Sequence, residues 1–159
     1  MKFLEDIWLN YHLTSVVCGW LTAQILKVFT GVFREREFSI RAMIFGNGGM
    51  PSSHTASVAA LATAIAVTES FRSVAFAIAA LLCVIVMNDA MGVRRETGKH
   101  SQILNQLFAK PVEGEEKTDK AKLFREFIGH SPLQVFCGML VGIAVALLIS
   151  LIPMFGIYG

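Results

Sequence analysis

The sequence predicts an all-α fold: a polytopic membrane helical bundle of about four transmembrane helices plus short interfacial helices, forming one membrane domain over residues 1–159. Composition is the first reason, because 54% of the residues are hydrophobic and only 16% are charged, which is unusual for a soluble domain. The second reason is that the apolar residues cluster into segments of helical length. The third is that the polar residues between these segments gather on one predicted membrane face.

Each apolar segment can be compared with the roughly 20 residues that a helix needs to cross a hydrocarbon core of ~30 Å. Three segments are long enough, and they run from about Ile7 to Phe33, from Ser73 to Met91 and from Leu133 to Ile157. The second segment in chain order, from about Thr55 to Thr68, has roughly 14 residues and reaches only ~21 Å as an α-helix. We expect this helix to begin below the membrane surface, inside protein.

The connecting segments carry predictions of their own. Residues 69–72 are so short a connection that the second and third helices should form an antiparallel hairpin. Apolar residues recur at helical spacing from Ser101 to Leu107, which is typical of a short amphipathic helix along the membrane surface. Residues 111–120 are charged and lack large apolar side chains, so they predict a mobile cytoplasmic loop. The first apolar segment is too long for a signal-peptide core, so no cleavable signal is expected.

The placement of Lys and Arg predicts the orientation in the membrane. Twelve of the 14 Lys and Arg residues fall in the segments that follow the first and third helices. Because these residues favour cytoplasmic loops, we expect a multi-pass protein of the inner (cell) membrane with both termini outside. The net charge of +2 gives no indication of a nucleic-acid partner, whereas the basic face favours anionic membrane lipids.

The cysteines indicate neither disulfides nor metal binding. Cys18, Cys83 and Cys137 all fall in apolar segments and show no CxxC spacing. They are typical of small buried apolar side chains. We therefore expect no metal and no cofactor.

Polar side chains at membrane depth are costly, so they are candidates for function. Four groups of them fall on the same predicted face, by a topology argument that uses no motif. The groups are Gln24, Lys27 and Arg34 in the first helix; residues 46–54 before the second; Asn88, Asp89 and residues 94–100 at the end of the third; and His130 at the start of the fourth. Their agreement predicts one shared site.

The chemistry of these groups suits an anion. A Gly-rich turn followed by Ser52, Ser53 and His54 at a helix start offers backbone N–H groups, hydroxyls and the positive end of a helix dipole. Basic side chains can then surround a phosphate with charge-assisted hydrogen bonds. These are Lys27, Arg34, Arg94, Arg95 and Lys99. His54 and His130 supply a nucleophile and an acid, which phosphoryl transfer to water requires when no metal takes part.

At these residues the chain resembles the type 2 phosphatidic acid phosphatase superfamily, which also contains the vanadium haloperoxidases. Met50-Pro-Ser-Ser-His54 is similar to its second signature, and the segment from His130 to Gly138 is similar to its third. Gly-Gly-Met-Pro-Ser-Ser-His, followed by Asn-Asp-Ala-Met-Gly-Val-Arg-Arg and Gly-Lys, more closely resembles the divergent bacterial and plant branch. This resemblance covers nearly the whole chain, from about residue 24 to residue 142.

The resemblance implies roles for individual residues. His130 would attack phosphorus to form a phosphohistidine, and His54 would protonate the leaving group. Lys27 and Arg34 would hold phosphate oxygens, as the start of the first signature does. The superfamily usually has six helices, so four helices also raise the prospect of a homodimer that completes the site.

Four features of the chain depart from the superfamily signatures. Glu35 stands where the first signature has Pro, and Ser53 stands where the second has Gly. The Ser-Arg pair of the third signature has no match at its expected spacing, so we expect Arg94 or Arg95 to supply that charge.

The fourth departure is Gln134, which stands where the third signature carries an Asp that orients the nucleophilic imidazole. A glutamine can accept the imidazole N–H but offers no negative charge, and an amide in place of such a carboxylate costs ~10⁴ in rate in a serine protease. Asp89 or Glu126 are the candidates to compensate for the missing charge.

Each feature also has a structural explanation when it is taken alone. Pro-Ser-Ser-His at a helix start is commonly an N-terminal cap. Asp89 can pair with a neighbouring arginine, and His130 can cap a helix at the membrane interface. The many alanines of the second helix favour close helix packing.

Two functions are consistent with these residues. The leading hypothesis is a metal-independent phosphatase that acts from the cytoplasmic side on a lipid-linked phosphate, such as a phosphatidate, a phosphatidylglycerophosphate or an isoprenoid diphosphate. The alternative is a non-catalytic protein that binds or transports phosphate or another anion and has retained only the phosphate-binding residues. Replacing Gln134 with Asp should raise activity in the first case and create none in the second.

Overall fold

The computed structural model describes residue 7 and residues 9–30, 50–108 and 130–155, without the side chains of residues 94, 95 and 105–108. This part of the chain is helical, as the composition predicts. Its α-helices are α1 (Tyr11–Phe29), α2 (Ser53–Glu69), α3 (Val74–Met91), α4 (Val93–Phe108) and α5 (Pro132–Ser150), and a 3₁₀ turn, Pro153–Phe155, follows.

Four of the helices begin at a polar residue that caps them. The side chains of Asn10, Ser52, Ser73 and Ser131 each accept a hydrogen bond from a backbone N–H three residues further on. These caps explain why the observed boundaries differ from the predicted ones. Helix α1 starts at Tyr11 and not near Ile7, whereas α2 has 17 residues because Ser53 and His54 before the apolar run and Glu69 after it belong to the helix.

Helix α2 lies at the centre of the bundle and packs against α5, α1 and α3. Its contact with α5 is close because Gly138 and Gly142 face its backbone, and a β-carbon at Gly142 would lie 2.9 Å from the Ala59 β-carbon. Gly19 of α1 faces α2 in the same way, 3.1 Å from the Ala60 β-carbon. Small residues on all three helices therefore let the backbones approach, as the alanines of α2 predict.

The connection between α2 and α3 is the tight turn that the sequence predicts. Ser70 has a positive φ of 85°, and its side chain accepts a hydrogen bond from the Arg72 N–H. At the other end of α3, Gly92 separates it from α4. Helix α4 covers the predicted surface helix Ser101–Leu107 but starts earlier, at Val93.

Within the described part of the chain, two stretches are long and apolar enough to cross a membrane, Val74–Leu104 and Pro132–Ser150. Only 11% of the apolar window in the first is buried within the protein, so most of its surface faces outward, unlike the core helix of a soluble domain. Helix α1 is continuous, but its apolar sequence is interrupted by the polar residues Gln24 and Lys27. Helix α2 has 17 residues, fewer than the roughly 20 that cross a membrane. The described residues thus form an all-α membrane bundle of four packed helices, α1, α2, α3 and α5, with α4 outside it.

Candidate functional site

The polar ends of four helices meet at one end of the bundle. The backbone N–H of Ser52, before α2, donates to the Gln134 carbonyl at 3.0 Å, and the N–H of His130, before α5, donates to the Ala90 carbonyl of α3 at 3.1 Å. The end of α1 reaches the same place, because the Thr30 hydroxyl donates to the Met50 carbonyl at 2.7 Å. These hydrogen bonds bring together segments that are far apart in the sequence.

The opposite end of the bundle is held by a separate set of contacts. The Tyr11 hydroxyl donates to the Ala146 carbonyl at 2.8 Å, and the His12 ring nitrogen lies 2.9 Å from the Thr68 hydroxyl. These residues occupy the start of α1 and the ends of α2 and α5. His12 is therefore an ordinary interhelical contact, and it lies far from the polar end described above.

Ser52 builds the start of α2. Its hydroxyl accepts hydrogen bonds from the Thr55 N–H at 3.5 Å and from the Thr55 hydroxyl at 3.1 Å, and the peptide bond between Met50 and Pro51 is cis. Ser52 is fully buried. Its side chain thus acts as the helix cap, which was the structural explanation considered for this motif.

Ser53 has a different partner. The Lys27 ammonium, in the last turn of α1, donates to the Ser53 hydroxyl at 3.1 Å. Lys27 is only 1% exposed, and no carboxylate of the described residues forms an ion pair with it. An ammonium group removed from water without a counter-charge is costly, so this position favours the binding of an anion.

His130 is held by the residue that replaces the expected carboxylate. Its Nδ1 lies 3.3 Å from Gln134 Oε1, and the same oxygen accepts the Ser131 N–H at 2.9 Å as part of a capping box at the start of α5. The Ser131 N–H identifies the amide atom of Gln134 that faces His130 as the oxygen, because only the oxygen can accept this hydrogen bond. An amide oxygen has no proton to donate. Nδ1 must therefore donate, and the neutral imidazole carries its lone pair on Nε2.

Two helix N-termini, those of α2 and α5, lie side by side at this end of the bundle because the Ser52 N–H bonds to Gln134. Each brings the positive end of a helix dipole and backbone N–H groups without helical partners. Together with Lys27, they make this end of the bundle electropositive in the absence of any metal.

The remaining predicted residues lie at varied positions. Gln24 is buried, one turn before Lys27 on α1. His54 is exposed in the first turn of α2, and Asp89 is half-buried next to Ala90, whose carbonyl accepts the His130 N–H. These three therefore lie on the same elements as the residues that make the site.

The structure does not bring Lys99 to Lys27 or His130. Its ammonium instead pairs with Glu96 at 2.6 Å, and both side chains are more than half exposed. A pair three residues apart on one helix forms locally, and this signal is present in the sequence. Arg94 and Arg95 are in the first turn of α4, but their side chains, and also Arg34, Glu126 and residues 111–120, lie outside the described residues.

Three contributors were not predicted from the sequence. Thr30 ties the end of α1 to the turn before α2, the Ala90 carbonyl holds the His130 backbone, and Gly138 lets α5 approach Ser52. A threonine, a backbone carbonyl and a helical glycine have no signature of their own. The one available signal was the spacing of Gly138 and Gly142, which is typical of close membrane-helix contacts.

Comparison with known proteins agrees with these observations. A family model described as the Divergent PAP2 family, where PAP2 denotes the type 2 phosphatidic acid phosphatases, matches residues 8–145. The uncharacterized membrane protein YuiD of Bacillus subtilis (strain 168) is 35% identical over 150 residues, which represent 89% of this chain and 94% of that protein. No solved structure matches the chain. The resemblance inferred from the motifs is confirmed, and the chain belongs to the divergent PAP2 family.

Proposed function

We propose that this protein is a metal-independent membrane phosphatase that hydrolyses a lipid-linked phosphate or isoprenoid diphosphate through a phosphohistidine. The observation that carries the proposal is the orientation of His130. Its Nδ1–H donates to Gln134 Oε1, so the lone pair of the neutral imidazole lies on Nε2, the nitrogen that would attack phosphorus. The buried ammonium of Lys27 supports the proposal because it supplies positive charge at the same end of the bundle.

The reaction would proceed in two steps. First, His130 Nε2 forms a bond to phosphorus while the bond from phosphorus to the ester oxygen breaks, and His54 gives that oxygen a proton. Second, water attacks the phosphohistidine, His54 takes a proton from the water, and inorganic phosphate leaves. Lys27 and the N–H groups at the starts of α2 and α5 would stabilise the charge on the non-bridging oxygens in both steps.

A lipid substrate is favoured by the position of the site. Helix α2 starts at Ser53, and its 17 residues extend about 25 Å, somewhat less than the ~30 Å hydrocarbon core. The site would thus lie close to the depth of lipid head groups, which reach it by lateral diffusion. From the distribution of Lys and Arg we further propose that it faces the cytoplasm from the inner membrane, with both termini outside. A homodimer stays a prediction.

The test uses purified protein in detergent micelles with EDTA present. Phosphatidate, phosphatidylglycerophosphate and isoprenoid diphosphates are offered, and released inorganic phosphate is measured. We expect release by the native protein and none by His130→Ala. His12→Ala is the matched control, because His12 is a histidine at the opposite end of the bundle. It should retain activity.

A second measurement follows the intermediate itself. With ³²P-labelled substrate and rapid quenching in alkali, the native protein should carry label that acid removes, as a phosphohistidine does, and His130→Ala should carry none. No phosphate release from the whole lipid panel, together with no labelled protein, would refute the proposal.

The second candidate is a non-catalytic protein that binds or transports phosphate or another anion. One observation favours it: the described partner of His130 Nδ1 is a neutral amide whose oxygen is shared with the Ser131 N–H. The structure makes Gln134→Glu a sharper test than Gln134→Asp, because Glu has the same length and is the usual residue of a capping box. Gln134→Glu should increase phosphate release from an enzyme and produce none in a binding protein.

A further inference from the structure

The two adjacent serines of the Pro-Ser-Ser-His motif have separate roles in the structure. The Ser52 hydroxyl is engaged by Thr55 at the cap of α2, whereas the Ser53 hydroxyl accepts a hydrogen bond from the Lys27 ammonium. We infer that Ser53 is a positioning residue: it holds Lys27 in place for the anion without neutralising its charge. This inference rests on the anion site of the proposed function.

The burial of the pair is the first argument. Lys27 is 1% exposed and Ser53 is 2% exposed, so neither side chain exchanges this hydrogen bond for water. A lysine side chain has four rotatable bonds and loses up to ~2 kcal/mol of entropy when it is fixed. The contact with Ser53, on a neighbouring helix, selects one position of the ammonium before any ligand arrives.

The charge of the partner is the second argument. A carboxylate at this position would form an ion pair and cancel the field of the ammonium, so an incoming anion would have to displace it. A hydroxyl oxygen orients the ammonium but leaves its full positive charge. Lys27 also has two further N–H donors, and Ser53 keeps its own hydroxyl proton. The remaining N–H donors of Lys27 can therefore bind an anion while its contact with Ser53 persists.

A purely structural role makes a different prediction. If the Ser53 hydroxyl only satisfies a buried ammonium, its loss should destabilise the fold without a specific effect on anions. If Ser53 positions Lys27 for the ligand, anion affinity should fall, and the effect should disappear when Lys27 is absent. A double-mutant cycle therefore separates the two roles.

The experiment measures tungstate and inorganic phosphate binding to the full chain in detergent by calorimetry. Ser53→Ala should weaken binding about 10- to 100-fold, the factor expected for a hydrogen bond to a charged group. In a Lys27→Met background, Ser53→Ala should cause no further loss. Ser57→Ala is the matched control: its hydroxyl bonds to the Ser53 carbonyl at 3.0 Å, one turn further along α2, and its loss should leave binding unchanged.

A second pair of variants protects the test against misfolding. Ser53→Thr and Ser53→Val introduce side chains of nearly equal volume, of which only the threonine has a hydroxyl. If the Ser53→Thr variant binds tungstate more tightly than the Ser53→Val variant, the difference is due to the hydroxyl. Equal binding by Thr and Val, or equal losses from Ser53→Ala with and without Lys27, would overturn the inference.

The outcome is independent of catalysis. If the protein binds tungstate in a Ser53-dependent way but hydrolyses no lipid phosphate, the positioning role holds and the phosphatase proposal fails. If it hydrolyses lipid phosphates while Ser53→Ala and Ser57→Ala bind and turn over like the native protein, the phosphatase proposal holds and the positioning role fails.

Discussion

Replacing Gly138 with Ala tests how strongly the site depends on the close approach of α5 to α2. A β-carbon at this position would lie 3.2 Å from the carbonyl carbon and from the β-carbon of Ser52, and closer still to the Ser52 carbonyl oxygen. Carbon atoms that are not bonded prefer about 3.5–4.0 Å, so the helices would have to separate by roughly half an ångström or more.

The cost can be worked from two opposing terms. Overpacking a closely packed contact costs about 1–3 kcal/mol, and the upper end applies here because the obstacle is backbone. Replacing a helical glycine with alanine returns about 1 kcal/mol. The net loss of stability for Gly138→Ala should therefore be about 2 kcal/mol.

Activity should fall by more than this loss of stability suggests. The same movement stretches the 3.0 Å hydrogen bond from the Ser52 N–H to the Gln134 carbonyl, which joins the starts of α2 and α5. Misplacement of reacting groups by about 1 Å can cost roughly 100-fold in rate. Phosphate release by the folded variant should drop about tenfold or more.

The assay compares three variants by thermal unfolding in detergent and by phosphate release. Gly142→Ala should destabilise at least as much as Gly138→Ala, because its β-carbon would lie 2.9 Å from the Ala60 nitrogen. Gly19→Ala should destabilise less than either, since its β-carbon would lie 3.1 Å from the Ala60 β-carbon and 3.2 Å from the Ala56 carbonyl oxygen, and a shift of a few tenths of an ångström relieves both contacts. If Gly138→Ala unfolds like the native protein and keeps full activity, the reasoning is refuted.

Three further predictions concern single side chains. Lys27→Met should weaken tungstate binding more than Ser53→Ala does, yet leave thermal stability equal or higher, because an apolar residue of similar size no longer carries the desolvation cost of a buried charge; a large loss of stability would contradict this. Ser131→Ala should cost about 1 kcal/mol through loss of the hydrogen bond from the Gln134 N–H to the Ser131 hydroxyl, but phosphate release should change little, because the Ser131 backbone N–H still holds Gln134 Oε1 near His130; unfolding curves and activity are compared. Tyr11→Phe should lower stability by about 1 kcal/mol, measured by the same unfolding assay, and leave turnover unchanged, because its hydrogen bond to Ala146 lies at the opposite end; a fall in turnover would show that the two ends are coupled.

The sequence was sufficient for the helices and for the end of the bundle at which the polar residues meet. Helix formation and membrane burial depend on local composition, so apolar runs such as residues 74–91 are recognisable without neighbours. The ends of the helices were less accurate. The predicted fourth helix extended to Ile157, but α5 ends at Ser150. Hydropathy is averaged over several residues, whereas the end of a helix depends on a few individual residues.

The pairing of individual side chains was less predictable. The sequence grouped Ser52, Ser53 and Lys99 as phosphate ligands, yet the structure gives them three kinds of partner: a helix cap, a lysine and a surface glutamate. Adjacent serines have the same chemistry in a linear sequence. They differ here because a helical turn directs one back to its own N-terminus and the other toward α1.

What the sequence determined by itself was an all-helical membrane protein with Lys27, His130 and two helix N-termini at one end, because these follow from hydropathy and from the order of the helices. Only the tertiary structure decided that the His130 N–H bonds to Ala90, that Ser53 contacts Lys27, and that Gly138 lets two distant motifs join. These contacts link residues on different helices, so they depend on the rotation and separation of those helices. Rotation and separation are determined by the packing of small residues across the whole bundle.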